Sequence, residues 1–487
     1  MARRPTMILA TSNGIGMGHL ARASAIARVL REHAEVIVVS MAGAVAELPD
    51  SMGLRVEYIP GRDRNLMPRL RWDRYLKERL VALIDETGAS LLAFDGVVPY
   101  PGIIAAKDAR PEIRLLWMRR GLWQWKPSRH LLALQSRLMD HIVEPGDFAR
   151  AFDTGPTSTR RDALLTSPIS LYQKQWALPR AKARKILGLN QKRPAVLVQL
   201  GTGDNDVNQK MQAALEGLLG WPDLQVVLTK EPVDLSGKSL APVGLDIKVI
   251  RYFPLADLLH AFDGAVAAAG YNGVHELLPA GLPTVFIPNI RGTDDQASRA
   301  RWAHEQGFAL AADQDDIEDI TRKVSMLCDS RLREQLANAT QHLPALHGND
   351  EASHHYLTLA KKRVSNTGFK FNYLRYLIRT QSIRKVRALA ILILRNLAVA
   401  YRTIFPRKDA IPVTEKPLHF SYESRAHELS RLIKSDMPLE HLIAGSSERY
   451  LRIRREIASR AYRTSIDNGA PGIDRDTRVT PIIEESI

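Results

Sequence analysis

The sequence predicts an α/β protein: two doubly wound domains, each a parallel sheet covered by helices, facing a cleft and followed by a basic helical extension. Three observations predict it. Short apolar runs alternate with amphipathic stretches in a β-α-β-α rhythm, the pattern of parallel strands buried on both faces. The rhythm breaks over 154–170, a stretch rich in Pro, Thr, Ser and Gly, and then resumes. The net charge of +15 is concentrated rather than spread: no acidic residue lies between Glu351 and Asp409, an interval with thirteen Lys and Arg. The rest of the chain is near neutral.

In order, 6–10 reads as a strand, 20–31 as a helix with Ala, Ile, Val and Leu on one face, and 35–40 as a second strand. Further buried strands are expected at 90–94 and 113–118, with a helical stretch at 102–108 between them. After the polar stretch, read as a linker, strands follow at 195–200, 225–229, 247–250, 264–268 and 284–287. The expected domains are 1–160, 161–365, a basic helical segment 366–408 and a charged helical tail 409–487. Sheets of this kind bind ligands at the carboxyl ends of their strands, so the cleft is where chemistry is expected.

Composition removes several classes. With 45% hydrophobic residues in 487, the chain can bury ordinary cores and is not wholly disordered. Its single cysteine, Cys328, cannot form an internal disulfide and reads as a small core residue in a reducing compartment. Arg3 and Arg4 precede an apolar stretch, 7–10, too short for a signal peptide, and no run of about 20 apolar residues suggests a spanning helix. The expected location is cytoplasmic.

Two motifs carry chemistry. The first, Gly14-Ile15-Gly16-Met17-Gly18-His19-Leu20-Ala21-Arg22, follows the first strand and opens the first helix. Glycines let the backbone turn tightly and approach a ligand, and a helix N-terminus favours negative charge. The spacing is not that of the dinucleotide fingerprint, and the second strand ends in Val39-Ser40-Met41 without the ribose-binding acid such a site would need. Instead His19 stands at the loop–helix junction, where an imidazole can take a proton at neutral pH. Asp95, ending the strand at 90–94, is the candidate partner that orients it.

The second motif runs from Ala269-Gly270-Tyr271-Asn272-Gly273 through His275-Glu276 to Gly281-Leu282-Pro283, then Pro288 and Asp294-Asp295-Gln296. A strand ends at a Gly-rich turn, and a helix is expected to start near Gly273, with Glu276 one turn in. A carboxylate there can accept from two ribose hydroxyls. This order of Gly, Glu, Gly-x-Pro, Pro, acid and Gln resembles the nucleotide-sugar signature of GT-B glycosyltransferases, two Rossmann-like domains around a cleft. The spacing is closer to the MurG-like branch, with a family 28 type of C-terminal domain, than to the plant UDP-glycosyltransferases. The Gly14–His19 loop is similar to that branch too, and the resemblance covers roughly 5–360.

The resemblance implies an inverting transferase that moves a hexose or N-acetylhexosamine from a UDP-sugar to a lipid-linked or cell-surface glycan acceptor, with no metal and no cofactor beyond the co-substrate. It implies His19 as general base or acceptor-orienting group. Glu276 would hold the ribose, the amides at Gly270, Asn272 and Gly273 the diphosphate, and Asp295 and Gln296 the sugar hydroxyls. Gly16, Gly18, Gly201 and Thr202 would face the phosphates, with Arg291 a further candidate cation. The segment Arg251-Tyr252-Phe253 would read the base. Two departures stand out: Ala268 replaces the histidine of the plant pattern, and no arginine lies near Ser167-Pro168-Ile169-Ser170. A sugar-nucleotide 2-epimerase shares this fold and is the alternative enzyme. A non-catalytic nucleic-acid-binding protein using the basic segment is the alternative outside enzymes.

No metal cluster stands out, and His354-His355, adjacent on a helix, reads as a surface pair. The basic segment suits a membrane interface rather than a nucleic acid, with packing of its apolar face on the catalytic body as the alternative. As one helix, 384–405 would gather Arg384, Arg387, Arg395 and Arg402 in a stripe beside a broad apolar face, below aromatics at Phe369, Phe371, Tyr373 and Tyr376. The expected partner is the anionic inner face of the cell membrane, contacted peripherally through 366–408.

Overall fold

The computed structural model describes residues 4–12, 17–41, 52–61, 67–124, 129–201, 205–229, 242–250, 252–289, 293–361 and 368–379. Two parallel sheets organise the chain, and both lie in one compact unit. The first has seven strands in the order β3-β2-β1-β4-β5-β6-β7, the second six in the order β10-β9-β8-β11-β12-β13. In the first, β1 (Thr6–Thr11), β2 (Glu35–Ser40), β4 (Leu91–Asp95) and β5 (Arg114–Met118) are the apolar runs the sequence predicts. Strands β3 (Arg55–Tyr58), β6 (His141–Glu144) and β7 (Leu164–Leu165) lack that signal, being short or half-exposed.

Strand order reverses between β1 and β4, so the crevice outside their carboxyl ends is the binding position for such a sheet. Helix α1 (Gly18–Leu30) rises from that point. It is Ala-rich and buried on nearly every side, touching β1, β2 and β4 as well as two helices from the far end of the chain. In the second sheet, β8 (Ala195–Gln199), β9 (Gln225–Leu228), β10 (Asp246–Val249), β11 (Gly264–Ala267) and β12 (Thr284–Phe286) are close to expectation, with β13 (Leu310–Ala311) added at the edge.

The polar stretch over 154–170 is a correction. Instead of an exposed linker, it adds β7 to the first sheet, and then Ile169 and Ser170 run fully buried. Its backbone is satisfied by side chains: Tyr271 Oη takes the Ile169 N–H at 3.0 Å, and Asn349 Oδ1 takes that of Ser170, also at 3.0 Å. Composition marks such a stretch as loop, but buried backbone needs only partners. At Gly348 a Cβ would meet Ser167 O at 2.1 Å, so this segment and helix α11 (Gly348–Lys361) touch where only glycine fits. The same helix returns to the first half, where Tyr356 is buried and Ser353 Oγ donates to Ile26 O. His355 is half-buried edge-on to His141, a correction to its reading as a surface residue.

The two halves are joined by one apolar cluster that runs through both, and by a polar seam. Helix α7 (Tyr271–Leu277) starts at the Gly270 N-cap, three residues before Gly273. In it, His275 is fully buried and accepts from Phe148 N–H through Nε2 at 3.1 Å. That bond fixes the tautomer, so Nδ1 carries the hydrogen and donates to Tyr271 O at 2.6 Å. Burial, aided by the charge of Arg299, lowers the His275 pKa to about 4, against the pull of Asp147.

The unfolded chain protonates this ring near pH 6.5 and the folded one does not. Its folded pKa is therefore depressed, and stability is complete above about 6.5 and falls as pH drops toward 4. Unfolding free energies from denaturant titrations at pH 7 and pH 5 are expected to differ by about 1–2 kcal/mol through this group. The variant His275→Gln should show a smaller difference; an equal one would place the proton uptake elsewhere.

Candidate active site at the switch point

Strand β1 pairs with β4 in register Thr11↔Asp95, and Ser12 N–H donates to Asp95 O at 2.8 Å. This puts Asp95 beside the start of α1. A Cβ on Gly96 would strike the Phe94 ring at 2.5 Å and Ser12 at 2.9 Å, so the turn closing behind Asp95 needs glycine. His19 is on the first turn of α1, and its Nδ1 lies 2.6 Å from Asp95 Oδ1. The pair expected from the sequence is in contact.

A third residue completes it. One turn along α1, Arg22 donates from Nε to Asp95 Oδ2 at 2.9 Å and from Nη2 to Oδ1 at 2.6 Å. The same Nη2 is 2.8 Å from His19 Nδ1. Both groups point hydrogens at one carboxylate, which is the stronger acceptor, so Nδ1 carries its proton and Nε2 is the basic nitrogen. Burial raises the Asp95 pKa, but Arg22 and His19 overcome it and the carboxyl lies below its usual range. Burial also lowers His19, and the charges of Arg22 and Arg120 add to this against the opposing pull of Asp95. The ring is therefore neutral at physiological pH, in the form that accepts a proton.

Around this trio lies a buried lattice of charges from both halves. Arg120, two residues beyond β5, reaches Asp294 Oδ1 at 3.1 Å and Thr293 Oγ1 at 3.1 Å. Arg299, on helix α8 (Gln296–Glu305), holds Asp294 at 2.7 Å and Asp147 at 2.7 Å. The Tyr271 ring lies between Arg22 at 5.0 Å and Arg299 at 5.8 Å. Burial, Arg299 and Arg22 lower the Arg120 pKa, against the opposing charges of Asp294 and Asp95, and its Nε has no hydrogen-bond partner among the described residues. A crowded cation with an unused donor is a place for an anion.

On the other side of the seam, Asn272 Nδ2 donates to Gly18 O at 3.0 Å, tying the start of α7 to the start of α1. Glu276 lies in the same helix. No hydrogen bond from the described residues reaches its carboxyl, and burial, with the charge of Asp257, raises its pKa to about 8. Asp257 itself is bound by Arg28 of α1 at 2.8 Å. The Glu276 carboxyl is thus short of donors, as a ribose-holding group requires. Phe253 is partly buried against the apolar cluster, and Gly201 is exposed just after β8 with φ of 81°. Gly16, Thr202, Arg251 and Arg291 lie outside the described residues.

Asp295 and Gln296 also carry bonds within the chain. Asp295 is the N-cap of α8, accepting from Ser298 N at 3.0 Å and Ser298 Oγ at 2.8 Å. Gln296 is buried, and its Oε1 accepts from Asn289 N–H at 3.0 Å. Asp294, with Arg120 and Arg299 on it, and the capping Asp295 do not form a metal pair; among the described residues no group of three His, Cys, Asp or Glu could hold an ion. Arg22, Arg120 and Arg299 were not assigned roles from sequence. Arg22 stands in the first motif at i+3 from His19, the spacing that shares a helix face.

Residues 189–355 match the glycosyltransferase family 28 C-terminal domain. The UDP-N-acetylglucosamine--N-acetylmuramyl-(pentapeptide) pyrophosphoryl-undecaprenol N-acetylglucosamine transferase of Cutibacterium acnes is 30% identical over 35% of this chain, a match spanning about half, 48%, of that relative. The enzyme of the same name from Acidothermus cellulolyticus is 26% identical over 62% of this chain and 83% of its own. Phytolacca americana UGT2, solved with UDP-2-fluoro-glucose and pterostilbene, superposes with a TM-score of 0.51 at 14% identity, over 74% of this chain and all of that one. The fold is GT-B. Residues 189–355 are thus similar to a family 28 C-terminal domain, within a chain whose fold matches the GT-B architecture.

The trio makes a prediction independent of activity. By NMR, His19 in the wild type is expected to titrate below its usual range, since burial lowers its pKa. Removing the neighbouring cation in Arg22→Met should raise that value, and removing the anion in Asp95→Asn should lower it further. Shifts in the opposite directions would show that Arg22 and Asp95 do not set the ring's charge.

Proposed function

We propose that this protein is an inverting glycosyltransferase that moves a hexose or N-acetylhexosamine from a UDP-sugar to a lipid-linked or cell-surface glycan acceptor. The observation that carries the reading is the His19–Asp95–Arg22 trio at the switch point, across the seam from a helix whose Glu276 carboxyl has no donor among the described residues. The acceptor hydroxyl oxygen attacks the anomeric carbon while His19 Nε2 takes its proton. The bond from that carbon to the UDP oxygen breaks, and its electron pair leaves with UDP. Asp95 stabilises the imidazolium that forms, and Arg22 holds Asp95 ionised in its buried place.

In this reading the backbone N–H groups at Asn272 and Gly273 and the spare Nε of Arg120 meet the charge that develops on the leaving diphosphate. No metal is needed for that step. Glu276 accepts from the ribose hydroxyls. Asp295 and Gln296 hold the loop before α8, and in this reading the free lone pairs of the Asp295 carboxylate and the Gln296 amide nitrogen meet the sugar hydroxyls. The family match and the transferase names of the relatives favour transfer over epimerisation. We also place the acceptor at a membrane surface that the protein meets peripherally through 366–408, of which 366–367 and 380–408 lie outside the described residues. Among the described residues no helix is long and apolar enough to cross a membrane.

Three measurements test this reading. Glu276→Ala should weaken UDP-sugar binding about 10- to 100-fold, the worth of charge-assisted bonds to two hydroxyls. Because free Glu276 titrates near 8 and ribose donors favour its ionised form, donor binding at pH 7 should expel a proton. Calorimetry in buffers of different ionisation enthalpy detects that release, which Glu276→Gln should abolish; unchanged affinity and proton balance would remove Glu276 from the donor site. His19→Ala should lower the transfer rate by about 10²- to 10⁴-fold with donor affinity retained. Near-normal turnover in that variant would make His19 structural.

A further inference from the structure

The loop after β5 carries a backbone conformation that its sequence does not favour. Leu122 is buried with a φ of 51°, the left-handed region, where a side chain crowds the carbonyl that follows it. Such a residue persists only where its surroundings over-determine it. Here both of its backbone polar groups are bound. Its N–H donates to Asp153 Oδ2 at 3.0 Å, and its carbonyl accepts from Asp295 N–H at 3.0 Å. The next residue, Trp123, is buried, donates from Nε1 to Arg120 O at 2.7 Å, and bridges antiparallel to Asp294.

Asp153 is the outer support of this loop. Its other oxygen, Oδ1, accepts from Gly155 N–H at 2.7 Å. A Cβ on Gly155 would lie 2.6 Å from Trp123 O, and one on Gly121 would lie 3.1 Å from Asp153 Oδ2. The carboxylate and two glycines therefore close tightly around 121–123. Among the described residues this carboxylate bonds backbone N–H groups only, so its work is to shape the chain and not to neutralise a cation.

We infer that Asp153 is a positioning residue for sugar recognition: it holds Leu122 in the left-handed conformation, which aims the Leu122 carbonyl at Asp295 N–H and so places Asp295 and Gln296 from the first half of the chain. The inference rests on the reading above, in which those two residues meet the sugar hydroxyls. Without Asp153, Leu122 can return to a negative φ, its peptide turns, and the carbonyl leaves Asp295. The start of α8 is then free to shift, and misplacement by about 1 Å is enough to spoil such contacts. The nucleoside is assigned to α7 and Glu276, to which no hydrogen bond from Asp153, Leu122 or Trp123 runs among the described residues. The residue therefore acts on the sugar part of the donor and not on UDP as a whole.

The test is calorimetry on the full chain with UDP, UDP-glucose, UDP-galactose and UDP-N-acetylglucosamine. The wild type should bind UDP and at least one of the three sugar donors. In Asp153→Ala, affinity for that donor should fall about tenfold, the worth of one charge-assisted bond, while UDP affinity stays within about twofold. Asp153→Asn keeps one oxygen for the Leu122 N–H and should regain part of the loss; it also serves if the alanine variant does not fold. A residue that only supported the fold would move both affinities together. Hydrogen exchange adds a local readout: the Asp295 amide should exchange at least about tenfold faster in Asp153→Ala. Equal losses for UDP and the donor, an unchanged donor affinity, or a wild-type exchange rate at Asp295 would each overturn the inference and leave the transferase reading standing. A wild type that bound none of the three donors would instead sink that reading, and this inference with it.

Discussion

Everything at the seam depends on one buried carboxylate. Asp95 is nearly inaccessible, and an ionised acid in such a place is costly unless its oxygens are fully bound. Here Arg22 supplies two donors and His19 a third. The carboxylate in turn fixes the imidazole's tautomer, the Arg22 rotamer and the turn at the end of β4. Removing Arg22 would leave a buried charge with one partner, which is why an arginine with no sequence signature of its own matters as much as the histidine beside it.

The same physics extends outward. Arg22 lies over Tyr271, whose hydroxyl donates to Gly146 O at 2.9 Å and accepts from the chain that links the halves. Arg299 ties Asp147 to Asp294, and Arg120 ties Asp294 to the end of β5. Three arginines and three aspartates therefore neutralise one another across the seam, with His19 and His275 both neutral. In the proposed reading an entering diphosphate adds negative charge, and Arg120 Nε and Arg299 Nη2 are donors of the lattice with no partner among the described residues.

Much of the fold was legible because parallel strands buried on both faces leave unbroken apolar runs, as in β1, β4, β5 and β8. Strands such as β3 and β7, short and partly exposed, leave none. His19 and Asp95 were legible because each ends a strand or opens a helix at a predictable carboxyl edge. Arg22 and Arg120 were not, since their partners are distant in sequence and an arginine looks the same whether solvated or buried. The stretch over 154–170 misled because polar composition does not disclose that Tyr271 and Asn349 will satisfy its backbone. Asp295 has a second task that was not read from the sequence: with Ser298 it forms the helix cap seen in the structure.

The central claim is a single displacement, with one base at the carboxyl edge of the first sheet and the nucleotide held by the second. The anomeric configuration of the transferred sugar tests it most directly. Proton NMR of the product formed from an α-linked UDP-sugar should show the β linkage, because attack assisted by His19 comes from the face opposite UDP. An α-linked product would require a second displacement or a front-face path, and would contradict the account.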